Sequence, residues 1–201
     1  MNNGKFSQCV ICFLFAFASM VSFQYAGAQA TYSANGAVKT TIIGTSNIHD
    51  WELISPKGNA TMTLQMDASG NITGISNVNY NIQVNTLKSK HGSQMDNNAY
   101  KAMDASTYPT IKFIGGSLTI KSTGSGNYTI TAPGKLTISS VTKDVTLTAT
   151  AKVNTDKSVS IDGSHKITTT DYNVKAISIM LGAIKTSPNV TINYSMTVKP
   201  Q

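Results

Sequence analysis

Three histidines, nine carboxylates and a near absence of thiols bound the chemistry open to this 201-residue chain. The richest cluster is Thr45-Ser46-Asn47-Ile48-His49-Asp50-Trp51-Glu52, which holds the only tryptophan and the only glutamate. An imidazole beside a carboxylate and a hydroxyl can do acid–base work. Neighbouring residues on a strand point to opposite faces, however, so His49 and Asp50 need not cooperate. His91 and His165 stand at no metal-ligand spacing. Both cysteines, Cys9 and Cys12, fall near the N-terminus, so the remainder can form no disulfide and carries no thiol nucleophile. There is no Gly-x-Ser-x-Gly elbow and no phosphate-binding loop; Gly124-Ser125-Gly126 reads as a turn. The expectation is a protein with no catalytic residue, no metal and no cofactor.

The N-terminus reads as an export signal over residues 1–28. Lys5 supplies a positive charge, residues 9–18 form an unbroken apolar run, and Ala26-Gly27-Ala28 is a small-x-small cleavage site. Ala30 is the alternative cleavage point, and the run is too short for an ordinary membrane span. The remainder, 29–201, is expected to be one exported domain, periplasmic in a two-membrane bacterium and otherwise secreted. Without Lys5 it has 15 lysines against 9 acids, a charge of +6. Every basic residue is lysine, and the lysines are scattered. A nucleic-acid groove, with its basic stripe and interleaved aromatics, is excluded.

The elements that must position these groups are strands. Isoleucine, valine and threonine make up 57 of 201 residues, and such stiff side chains favour pleated sheet. Met62, Leu64 and Met66 alternate with polar residues, as do Val78, Tyr80, Ile82 and Val84. The same period of two runs through Val145, Leu147, Ala149, Ala151 and Val153, and through Val190, Ile192, Tyr194, Met196 and Val198. Turn residues at 67–70, 115–116, 124–127 and 154–157 separate eight to ten strands. Connections this short require antiparallel pairing. Only residues 93–104, with Met95, Ala99, Ala102 and Met103 at helical spacing and Pro109 beyond, read as helix. One apolar face on so many strands means a sandwich or a closed barrel, and an eight-stranded barrel has room for one small ligand. Flexible methionines, Met180 among them, suit an adaptable apolar interior.

Four segments, in order, resemble the YceI-like family of polyisoprenoid-binding, lipocalin-like proteins. They are Gly44-Thr45-Ser46-Asn47-Ile48-His49-Asp50-Trp51; Leu87-Lys88-Ser89-Lys90-His91 with the helix and Tyr108-Pro109-Thr110-Ile111-Lys112-Phe113; Gly134-Lys135-Leu136-Thr137-Ile138 with Val141-Thr142-Lys143; and Asp171-Tyr172-Asn173-Val174 with Met180-Leu181-Gly182. The helix followed by Tyr-Pro-x-Ile-x-Phe is the most specific. The resemblance implies an all-β, eight-stranded antiparallel lipocalin-like barrel with one helical insertion. It further implies a polyisoprenoid, isoprenoid quinone or other long-chain lipid as the partner, held as by a carrier or scavenger.

The residues expected to meet that ligand are the apolar stripe Met62, Leu64, Met66, Val78, Tyr80, Ile82, Phe113 and Ile192. Tyr194, Trp51, His49 and Lys88 complete the set. Any basic contact to a head group falls to lysine: Lys88, Lys90 or Lys143. A transient membrane contact and a homodimer stay open. The competing reading is a structural barrel filled by its own side chains, with no ligand.

Overall fold

The computed structural model describes residues 28–175, 177–179 and 184–201; the export-signal residues before Ala28, and Ala176, Met180, Leu181 and Gly182, lie outside the described residues. Eight antiparallel strands close into a barrel. Its wall runs β1 (Ala28–Ser46), β11 (Ile184–Pro200), β9 (Val159–Thr168), β8 (Val141–Val153), β7 (Asn127–Ile138), β5 (Thr110–Gly115), β3 (Ile72–Gln83) and β2 (Asp50–Met66), and β2 pairs back onto β1. Of the two architectures open to the sequence, closure selects the barrel, which removes most of the free strand edge. Short β6 (Thr119–Gly124) continues the line of β5 along β7. Two-residue β4 (Lys88–Ser89) and β10 (Ser178–Ile179) sit on β2 and β11.

The alternation of the sequence becomes the inside and outside of this wall. Met62 and Leu64 on β2, Ile82 on β3, Phe113 on β5 and Met196 and Val198 on β11 are buried inside, while the intervening threonines and asparagines face out. Two irregularities shift the phase. Gly36, with φ +66, lies within the register shift between Ala34 and Val38 on β1. Asn77, with φ +53, bulges β3 between Ile75 and Val78. Bulges of this kind add twist and bend a strand.

One end of the barrel is plugged. Tyr32, Ile72, Tyr128, Val159 and Val198 are buried there, and the Ile72 amide donates to the Tyr128 hydroxyl at 3.1 Å. The other end carries helix α1 (Ser93–Ala102), which falls within the 93–104 expectation. It begins after Gly92, whose φ of +87 suits glycine. Asp96 in its first turn accepts from the Ser89 amide at 2.7 Å and pairs with Lys88 at 3.3 Å. The Tyr100 hydroxyl donates to the Leu87 carbonyl at 2.6 Å. These bonds hold Ala99 and Met103 down over the barrel mouth.

Candidate ligand-binding site

Two apolar cavities occupy the interior. The first, about 80 Å³, lies in the barrel among Met62, Val78, Tyr80, Phe113, Leu147 and Met196. The second, about 60 Å³, lies beneath α1 among Trp51, Leu53, Met103, Ile138, Tyr172 and Val190. Ile42, Ile111 and Ile192 line both and form the partition between them. Ile42 and Ile192 are cross-strand partners on β1 and β11, and Ile111 comes from β5, across the lumen.

Polar groups in the first cavity are few and mostly spent on each other. The Thr40 and Tyr80 hydroxyls lie 2.6 Å apart. Tyr194 extends across Gly163, where a Cβ would stand 2.3 Å from the ring, and donates to the Thr148 carbonyl at 2.9 Å. Burial pushes both phenols up to about 12; for Tyr80 the Thr40 bond works in the opposite direction. Burial also lowers the imidazole of His165, on the wall of the same cavity, so it favours the neutral form. A lumen lined this way offers an apolar chain dispersion contacts and few polar groups to desolvate.

Of the residues expected at a ligand, Met62, Val78, Tyr80, Ile82, Phe113, Ile192 and Tyr194 line the first cavity. Trp51 lines the second; its ring covers Gly44 and its indole N–H donates to the Thr45 carbonyl at 3.2 Å. Four lie away from both. Leu64 is fully buried in the packed core. Met66 is near the plugged end, where its sulfur accepts from the Tyr32 hydroxyl at 3.6 Å. His49 is exposed and stacks on His91 with ring centroids 4.6 Å apart. Lys88 is exposed over Tyr100 and bound to Asp96.

The structure adds Thr40 and Ile42 of β1, Ile75 of β3, Ile111 of β5 and His165 of β9. Ile111 sits in the Tyr-Pro-x-Ile-x-Phe segment, so that motif held the signal for it. Thr40 gave none, because a buried threonine looks like any outward one. His49 makes its Nδ1 hydrogen bond with the Asp50 carbonyl at 2.8 Å, not with a carboxylate. Among the described residues no cluster of three metal-ligating side chains occurs, and no helix is long and apolar enough to cross a membrane.

A closed eight-stranded barrel with an apolar lumen and a helix over one end is a lipocalin-like architecture. The chain belongs to the YceI-like family: the YceI-like domain model matches residues 19–198. The fold is shared with BcnA of Burkholderia cenocepacia, at 22% identity over 81% of this chain and 96% of that one, with a TM-score of 0.60. It is shared also with a polyisoprenoid binding domain from Saccharophagus degradans implicated in plant cell wall breakdown. That domain is 9% identical, with 87% of this chain and 100% of that one covered and a TM-score of 0.63. No curated protein matches the sequence.

Proposed function

We propose that the protein is an exported lipid binder that takes the chain of a polyisoprenoid or isoprenoid quinone into its barrel, as carrier or scavenger. The observation that carries this reading is the pair of neighbouring apolar cavities that share Ile42, Ile111 and Ile192 in their linings. An isoprene unit brings five carbons, and each buried carbon contributes roughly 0.8 kcal/mol, or about 4 kcal/mol per unit before the cost of association. The polyisoprenoid-binding name of the S. degradans neighbour supports the same ligand class. Binding rather than catalysis is the reading, since the histidine cluster of the sequence resolves into an exposed stack. The apolar run and small-x-small site of residues 1–28 support export to the periplasm or beyond.

One observation favours the competing reading of a self-filled barrel. The free space, about 80 and 60 Å³, is well below the roughly 300–1,000 Å³ of ordinary small-molecule pockets. A long chain therefore enters only as side chains yield, and Met62 and Met196 are the flexible ones in place. Purification without detergent, solvent extraction and mass spectrometry separate the two. A prenyl species at about one per protein supports the carrier. A blank extract, with no uptake of added geranylgeraniol or prenylated quinone, supports the filled barrel.

A further inference from the structure

The barrel wall is not equally tight all round. The β8–β9 ladder pairs Val153 with Val159 and stops at Thr148 and Ser164. Both strands continue beyond that point. β8 stays paired with β7 as far as Val141, and β9 stays paired with β11 as far as Thr168. Residues 141–147 of β8 and 165–168 of β9 are therefore strands without each other, and the wall parts along its upper half, toward α1.

Burial follows the parting. The inward residues of β7, such as Ile130, Leu136 and Ile138, are buried, whereas Val145 and Leu147 of β8, beside the parting, are only half-buried. His165 and Ile167, inward on β9, are half-buried as well. The lower corner is clamped where the ladder ends, by the Tyr194 hydroxyl on the Thr148 carbonyl.

Side chains, not backbone, close the gap. A 3₁₀ turn, Thr169–Tyr172, follows β9 and carries Tyr172 into the upper part of the parting, where it is 3% exposed. Three contacts tie this strap to β8 and the turn before it: Lys143 to Asp171 at 3.5 Å, the Lys143 ammonium 5.8 Å from the Tyr172 ring centre, and the Asn173 side-chain amide donating to the Ser140 hydroxyl at 3.3 Å. Outside lies an open groove of about 610 Å³, lined by Lys143, His165, Lys166, Asp171 and Tyr172. Tyr172, Ile167 and Val190 line both this groove and the second cavity, with Tyr172 the largest of the three, and His165 lines both the groove and the first. Tyr172, between the aliphatic side chains of Ile167 and Val190, thus stands between the second cavity and the outside, and His165 between the first and the outside.

We propose that the parting of β8 and β9 is the portal through which an amphiphile with an apolar chain enters the barrel sideways. Tyr172 is its gate, and the polar end of the ligand stays in the groove between Lys143 and Lys166. This rests on the lipid-binding reading. The two ends are poorer routes: one is plugged by buried Tyr32 and Tyr128, and the other is held by α1 through Asp96 and Tyr100. The contacts across the gate are exposed and weak, and weak contacts let a segment open without unfolding the barrel.

The described residues contain no cysteine, so a bridge across the gap is clean to build. Continued in register, Asp144 and Thr168 would face one another. The double variant D144C/T168C, in a full chain whose Cys9 and Cys12 are replaced by serine, is joined by a cleavable bis-maleimide. Transfer of dansyl-tagged geranylgeraniol from the protein to neutral phosphatidylcholine vesicles is then followed by fluorescence.

The bridge is expected to slow transfer at least tenfold, and cleaving it to restore the rate. Equal rates with and without the bridge, in a protein that binds the probe, overturn the portal and leave the lipid-binding reading standing. Failure of the unmodified protein to bind the probe overturns both. Hydrogen exchange on the unliganded protein checks the parting itself. The amides of 141–147 and 165–168 that point across the gap should exchange faster than those of 148–153 and 159–164, and uniform protection would overturn the proposal.

Discussion

Ile111 is the residue on which the two-cavity arrangement can be tested most sharply. It is buried, lines both cavities and faces Ile42 and Ile192 across the lumen. Ile111→Ala removes three carbons, about 0.8 kcal/mol each, or ~2.4 kcal/mol of lost transfer energy. If roughly 50 Å³ of the vacated space stays open, about 24 cal/mol per Å³ adds ~1.2 kcal/mol. The variant should therefore lose about 3–4 kcal/mol. In a domain of this size each kcal/mol moves the melting temperature by roughly 2–4 °C, giving a fall of roughly 7–14 °C. The same change joins the first and second cavities into one. A C20 prenol that fills the joined space should recover part of the loss, so its stabilising effect should be larger on I111A than on the parent. Thermal unfolding followed by far-UV circular dichroism, with and without geranylgeraniol, reads both numbers. A variant that melts within 2 °C of the parent would show that Ile111 is not a packed partition. A variant destabilised as expected but helped no more than the parent would show that the joined space is not where the chain goes.

Two other consequences follow from the same interior. Gly44→Ala should displace the tryptophan, because a Cβ there would stand 2.2 Å from the Trp51 ring. With only one tryptophan in the chain, a red-shifted emission together with a lower melting temperature reports this directly, and an unshifted spectrum contradicts the packing. Tyr80 and Tyr194, both pushed up to about 12 by burial, hold their protons in the folded protein past the value near 10 at which unfolded tyrosine releases them. Their contribution to stability is thus whole below pH 10 and is lost as pH rises toward 12. Urea unfolding at pH 9 to 12 should show that decline, and Tyr80→Phe should make it shallower; an equally steep decline would rule out Tyr80 as a source.

Much of the barrel is legible in the residues because a half-buried strand must alternate. The inward faces of β2, β8 and β11 were readable from Met62, Leu147 and Ile192 for that reason. The helix was readable because its apolar spacing breaks the period of two. β1 hid its inner face. Val38, Thr40, Ile42 and Gly44 point inward, and two of the four are not hydrophobic. On β3 the bulge at Asn77 puts Ile75 out of phase with Val78, so a strict alternation assigns it to the wrong side. His49 and Lys88 were drawn to the site by their motifs, but they sit at the barrel mouth and pair with His91 and Asp96 instead. The parting of β8 and β9 left no trace in the sequence, since Val145, Leu147 and Ala149 keep their alternation straight through it. Pairing between strands is a property of the closed wall, and one strand's pattern does not record whether its neighbour stays beside it.

If an apolar chain lies along the two cavities, a crystal structure grown with a prenylated quinone will show it there. Continuous ligand density is expected from the Phe113–Met196 region, past displaced side chains of Ile42, Ile111 and Ile192, to Trp51. Its ring end would lie in the groove beside Lys143 and Lys166. A lumen without ligand density, with the three isoleucines still closing the partition, would contradict it.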